Sequence, residues 1–285
     1  MLIKVLLLLL MVIWAGSFPF IKFGLRELDP INLVFWRFLI ATPPLFIYTL
    51  IKHGKKMVDF KLKEWVILLF LALSGVSLLY IVQFMALKHT TAINGSILIN
   101  VSAIFIALMS YLLLKEKINA RKFMGVAIGF AGIVIVISNG QIQFFNSSTF
   151  FGDILMVIDG FIWACYTIAG KNIIERKNVE IVTSWAFMFG ILTLIPFLIF
   201  QFRIPTQTIT WISILYMGLL CSVFGYLLWY FALERETATN VAIYIYLIPI
   251  FTVIIAYYTL NETITILKAI GGALTIVGVY LVEKS

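Results

Sequence analysis

Asp159 stands inside a long apolar stretch, and on a helix it shares one face with Trp163, Tyr166 and Thr167. A carboxylate surrounded by hydrocarbon is costly unless it is paired, protonated or wet, so Asp159 is expected to face an interior rather than lipid. Two roles are open to it. It can bind an amine or couple a proton, as buried carboxyl groups in clefts do. It can also be the structural partner of Arg37, which lies at a matching depth in its own apolar run.

Aromatic and polar residues accompany this charge. Trp14 and Trp163 fall near the middle of their runs, away from the interfacial belt where tryptophan collects. With Ser17, Tyr166 and Thr167 they can line a cavity, or they can pack helix on helix beside the small Gly16 and Ala164. Pro19 breaks a backbone bond and is either a hinge or a locally accommodated irregularity. Nearer the two ends lie Tyr80, Gln83 and Asn94 on one side, and Tyr226, Trp229, Tyr230 and Asn240 on the other. Such groups can gate a path by exchanging partners, anchor at an interface, or, for the two asparagines, bond helices together. Tyr244 and Tyr246 cannot share a face, and Tyr244, four residues from Asn240, is expected towards the cavity.

The elements that must position these residues follow from composition. The 285-residue chain is 62% hydrophobic and only 12% charged, with a mean hydropathy of +1.08, so it has too little polar surface to cover a water-soluble core. Its apolar runs are about 20 residues long, the length of a membrane-crossing helix, and lack the alternation of barrel strands. Ten spans are expected: Ile3 to Lys22, Pro30 to Ile51, Trp65 to Ala86, Thr91 to Leu114, Ala120 to Ser138, Gly152 to Gly170, Glu180 to Gln201, Trp211 to Leu233, Thr237 to Leu260 and Thr265 to Val282. The first run could pass for a signal peptide, but its Ile-Trp-Ala signature recurs mid-chain at residue 162, which favours a span. Cys165 and Cys221 fall inside spans and read as packing residues.

The net charge of +8 reports orientation rather than a nucleic-acid partner. With the N-terminus inside, the inner segments carry 15 Lys and Arg and the outer ones 5. Basic residues are retained on the cytoplasmic side, so both termini are expected there, in a cell membrane.

The chain is duplicated. An offset of 149 carries Ile13, Trp14, Ala15, Lys22 and Trp36 onto Ile162, Trp163, Ala164, Lys171 and Trp185. An offset of 146 aligns Ala86–Val136 with Ala232–Val282, with 18 identities in 51 positions, including Asn94 with Asn240 and Glu116 with Glu262. Neither Arg37 nor Asp159 is copied; their counterparts are Ala186 and Leu10. Each copy holds five spans, residues 1–138 and 152–285 around an outer connection at 139–151. An odd number inverts the second copy relative to the first, the arrangement by which secondary transporters alternate access to a midplane site.

Ten helices in two five-helix repeats, with "IWAGSFPFIK", "FWRFLIA", "ALKHTTAINGSIL", "LLLKEKIN" and "TLNETIT", resemble the EamA family of the drug/metabolite transporter superfamily. The resemblance spans nearly the whole chain. It implies an all-α membrane transporter of small metabolites, often an exporter, with a cavity between the repeats and no cofactor. Lys22 and Lys171 are expected to snorkel at opposite faces, Glu116 and Glu262 to tie each fourth helix to the next, and the glycines of spans five and ten to give close-packing surfaces that can also serve a homodimer.

No phosphate-binding GxxxxGK[ST] loop is present, so a gradient of protons or of the solute must drive transport. A membrane-embedded enzyme would need clustered acid, base or metal residues, whereas the two histidines, His53 and His89, lie in separate loops and no HExxH occurs. A channel, a scramblase or a sugar-phosphate exchanger on the same fold are further alternatives. An aromatic lining with one carboxylate suits amino acids or amphipathic amines.

Overall fold

Residues 2–115, 119–138, 148–199 and 201–283 are described by a computed structural model, and among them every regular element is helical. The first two helices are α1 (Leu2–Gly24) and α2 (Pro30–His53), the latter capped by Asp29, whose carboxylate accepts from the amides of Ile31 and Asn32. A 3-10 turn, Gly54–Val58, leads to α3 (Leu62–Ala72), which runs through a π-helical turn at Leu73–Ser77 into α4 (Leu78–His89). Then follow α5 (Ala92–Leu98), α6 (Val101–Leu113), α7 (Ala120–Ser138), α8 (Phe150–Ile174) and α9 (Val179–Leu198). In the later part, α10 (Thr208–Leu215) passes through a π-helical stretch, Tyr216–Phe224, into α11 (Gly225–Leu233). Last come α12 (Ala238–Ala242), a 3-10 turn at Ile243–Leu247, α13 (Ile248–Leu260) and α14 (Ile266–Glu283).

Eight of these stretches are long and apolar enough to cross a bilayer, the exceptions being α7 and α14, and helices occupy all ten positions expected from sequence. The chain is a multi-pass membrane protein. Large apolar side chains such as Ile51, Leu112, Phe197 and Ile266 point outward, as they do when lipid is the solvent.

Contacts recur in pairs related by the two sequence offsets. Trp36 donates its indole N–H to the Arg203 carbonyl at 2.8 Å, and its counterpart Trp185 donates to the Met57 carbonyl at 2.7 Å. Lys22 donates to the Thr90 carbonyl, and Lys171 to the equivalent carbonyl of Glu236 at 2.7 Å. Neither lysine merely reaches for water. Each caps free carbonyls at the end of the third helix of its own half, where a cation is favoured.

α7 and α14 form one tight seam. A Cβ at Gly132 would sit 2.5 Å from the Gly271 carbonyl oxygen, and one at Gly278 would sit 2.5 Å from that of Gly125. Seven residues up one helix answers to seven down the other, so the two run antiparallel. Gly125, Gly132, Gly271 and Gly278 are thus used within the chain, whereas Gly272 faces open space.

Pro19 does not end α1, which runs on to Gly24. Its missing N–H leaves the Ala15 carbonyl free, and the Thr252 hydroxyl donates to that oxygen at 3.3 Å. α1 therefore continues unbroken, with the proline tolerated rather than serving as a break.

Candidate functional site

The central cavity is lined by Trp14 and Ser17 of α1, Arg37 of α2, Tyr80 and Gln83 of α4, Asp159 and Trp163 of α8, and Cys221, with apolar residues between them. Its volume is about 50 Å³. Tyr80 and Gln83, expected near a mouth, thus belong to the core of the site.

Arg37 and Asp159 both border this space, yet they form no ion pair. Asp159 is fully buried, and its Oδ2 accepts from the Gln83 amide at 2.9 Å while Oδ1 meets no protein donor. Arg37 is 1% exposed. Its Nε donates to the Ser222 hydroxyl at 2.8 Å, its Nη2 to the Tyr80 hydroxyl at 3.0 Å, and its guanidinium lies over the Tyr80 ring at 3.8 Å. Its Nη1 has no acceptor. Of the open alternatives the direct pair is not formed among the described residues: Arg37 is held by Ser222 and Tyr80, Asp159 by Gln83, and each keeps one atom with no partner among those residues. Leaving such groups unsatisfied in a low-polarity interior is costly.

One wall of the cavity is an aromatic plug. Trp14, Trp163 and Trp229 form a triangle with ring centres 5.4 to 5.5 Å apart. Tyr166 stacks between Trp163 and Tyr230, 5.2 Å from each, and Tyr226 closes the cluster 5.4 Å from Tyr166. Gly75 admits it, since a Cβ there would meet the Tyr166 ring at 2.1 Å. The cavity occupies the corresponding region in the other half. The counterparts of Tyr166 and Trp229 are Ser17 and Gln83, side chains too small to close that space. Sequence divergence between the copies therefore makes the cavity one-sided.

The two π-helical turns sit at equivalent positions, and each offers a carbonyl to a side chain of the other half. The Gly75 carbonyl accepts from the Tyr226 hydroxyl, and its counterpart, the Cys221 carbonyl, accepts from the Trp14 indole at 3.1 Å.

The remaining sequence candidates lie elsewhere. Tyr226, Trp229, Tyr166 and Thr167 are buried in or beside the plug. Asn94 does not reach the cavity; its amide faces the Asp153 carboxylate at 3.3 and 3.5 Å. Asn240 and Tyr244 border a separate cavity of about 240 Å³ with Lys4 and Glu236 at the Lys171 end, whereas Tyr246 is buried near Gly129. A third cavity, about 320 Å³, opens at the other end among Lys22, Arg26, Lys88 and Glu262. Glu262 faces Lys268 of the next helix electrostatically, and it also reaches the other half. It accepts from the amides of Ala92 and Ile93, both at 2.9 Å, capping α5 of the other half, because the open amides of a helix N-terminus attract a carboxylate. Glu116 lies outside the described residues.

Sequence reasoning passed over Asp153. It is fully buried and accepts from the hydroxyls of Thr90 and Thr149, at 2.5 and 3.0 Å, as well as facing Asn94. It stands in the first turn of α8. The signal available was the duplication, which sets Asp153 against Lys4 and Thr90 against Glu236, a reversal of charge between the two ends.

The EamA-like transporter family matches the chain twice, over residues 1–138 and 150–283. The chain belongs to that family. An uncharacterized transporter of Archaeoglobus fulgidus is 50% identical over 97% of this chain and 95% of its own length. A probable terminal-alkyne amino-acid exporter of Streptantibioticus cattleyicolor is 25% identical, covering 98% and 92%. A probable amino-acid metabolite efflux pump of Salmonella typhimurium is 26% identical, covering 96% and 92%. A solved crystal structure superposes with a TM-score of 0.74 at 17% identity over 98% of this chain and 94% of the other, a likeness of fold. The EamA-like chain is accordingly a transporter and not an enzyme, and it handles small molecules within a lipid bilayer.

Proposed function

We propose that this EamA-like protein is a secondary exporter of small zwitterionic metabolites of the amino-acid type, working by alternating access across the cell membrane. The observation that carries the reading is the cavity with Arg37 and Asp159 on its walls, each with an unmet atom. A substrate carboxylate accepts a hydrogen bond from Arg37 Nη1, an ammonium donates one to Asp159 Oδ1, and the substrate side chain lies against Trp14 and Trp163. The amino-acid exporters among its relatives fit this chemistry. Asp159 suits an amphipathic amine too, but such a substrate leaves Arg37 unanswered, so the zwitterion is preferred. In the absence of substrate, Asp159 is the group able to take up a proton, which couples export to proton entry.

Residues 1–138 and 152–285 act as two inverted five-helix repeats, ten crossings in all, with both termini in the cytoplasm. The paired contacts of Trp36 with Trp185 and the antiparallel α7–α14 seam support that symmetry. On this topology the aromatic plug lies towards the cytoplasm and Asp153 towards the exterior. A volume of about 50 Å³ holds only one or two waters, so admitting a metabolite requires the halves to move. One chain supplies the complete path; a homodimer would pair surfaces away from Gly125, Gly132, Gly271 and Gly278.

The test is counterflow in proteoliposomes. Alanine, leucine or phenylalanine inside should accelerate entry of the labelled amino acid, whereas the matching amine or carboxylic acid should not. Equal acceleration by the amine alone would overturn the zwitterion.

A further inference from the structure

The carbonyls of Gly75 and Cys221 are counterparts, and so are the donors that could reach them. Gly75 is bonded by a tyrosine of the other half, Tyr226. Cys221 is bonded by a tryptophan of the other half, Trp14. The counterpart of Tyr226 is Tyr80, which borders the same cavity as Cys221. The counterpart of Trp14 is Trp163, which packs on the Tyr166 ring that covers Gly75. Each carbonyl therefore has two candidate donors, one tyrosine and one tryptophan, and the structure uses one of each. The indole of Trp163 has no hydrogen-bond acceptor among the described residues, and the hydroxyls of Tyr80 and Tyr226 touch at 3.0 Å.

We propose that these two carbonyls are the exchange points of the conformational switch. In the opposite state the halves trade roles: Trp163 donates to Gly75, Tyr80 donates to Cys221, and Tyr226 and Trp14 are released. Releasing Tyr226 takes a wall from the aromatic plug, so the Lys171 end opens. Drawing Tyr80 to Cys221 removes it from Tyr226 while Arg37 stays anchored on Ser222, so the guanidinium can turn to a substrate carboxylate. The number of hydrogen bonds at the two carbonyls is the same in both states, which lets neither dominate. A buried peptide carbonyl that lost its partner without replacement would oppose the exchange. Both acceptors lie in the π-helical turns, and the second lone pair of each carbonyl is open to a side-chain donor. This rests on the carrier reading above.

The test uses the full chain in nanodiscs with Cys165→Ala and Cys221→Ala, neither of which touches the Cys221 carbonyl. Val241→Cys reports the cavity at the Lys171 end and Leu87→Cys the cavity at the Lys22 end; both positions are buried in this state. Labelling by a polar maleimide is timed. Tyr226→Phe removes a bond of the present state and should speed labelling at Val241→Cys, and slow it at Leu87→Cys, by about fivefold, the effect of one neutral hydrogen bond. Trp163→Phe removes a bond of the opposite state and should shift both rates the other way. Unchanged rates in Tyr226→Phe, or shifts of the same sign in both variants, overturn the switch. If Trp163→Phe does not fold, the Tyr226→Phe arm decides alone. The carrier reading fails separately, if the two reporters in the otherwise unmodified chain respond to added amino acid in the same direction rather than in opposite ones.

Discussion

The hydroxyls of Tyr80 and Tyr226 lie 3.0 Å apart, although the two residues occupy corresponding positions in two copies of one ancestral segment. On the two-fold arrangement proposed above, such a contact between counterparts lies on the axis that relates the copies. Beside it, Arg37 and Asp159 break the symmetry. The scaffold is duplicated, and the charges that would recognise a substrate belong to one copy each.

Asp159→Asn keeps the shape and the Gln83 contact but removes the charge. Counterflow of a zwitterion and proton-driven export are both expected to be abolished, with the variant still monodisperse after extraction. Transport at the normal rate would remove Asp159 from the site.

Arg37→Lys keeps a charge but loses the planar fork that serves Ser222, Tyr80 and a carboxylate together. Substrate affinity should fall by about tenfold to a hundredfold, the range for one charged hydrogen bond. Measured by tryptophan quenching, the loss should be far smaller for the matching amine, which has no carboxylate to present.

Gly75→Ala drives a methyl into the Tyr166 ring. Overpacking of this kind costs about 1–3 kcal/mol, and the melting temperature should fall. Adding Tyr166→Ser, the residue found at its counterpart, is expected to restore it.

Glu27, in the turn between α1 and α2, clasps the start of α10 by accepting from the amides of Thr206 and Gln207 and from the Thr206 hydroxyl. Burial raises its pKa, but the side-chain bonds from Thr206 and Thr210 and those two amides outweigh this and hold it down to about 2. A depressed carboxyl stabilises the fold above its unfolded value, about 4.3, and loses that contribution as pH falls towards 2. The melting temperature of Glu27→Gln should therefore lie below that of the parent at pH 7, and the gap should narrow as pH is lowered below 4.

Inversion of the halves is open to a direct check. Epitope tags inserted after residue 145 and after residue 285 should be accessible from opposite sides of the membrane in spheroplasts. Accessibility from the same side would end the alternating-access reading.

Much of the architecture was legible without coordinates. Hydropathy is summed along the chain, so the positions of the helices from Ile3 to Val282 followed from their apolar length, and the duplication survived as identities such as Asn94 with Asn240 because each copy keeps its own helix ends. Partnership is different: it depends on how each helix is rotated about its axis and on which neighbour it meets, and neither is written in a local window. Arg37 and Asp159 matched in depth and opposed in charge, yet Ser222 and Tyr80 hold the one and Gln83 the other. Asp153 stands in the first turn of its helix, and nothing in its local sequence announces that Thr90 and Asn94 close over it. Glu262 went to the far half because that is where open amides lay. The residues that could carry charge were evident in the one-dimensional record; which of them are left with an unmet atom facing shared space was decided only when the two halves packed together.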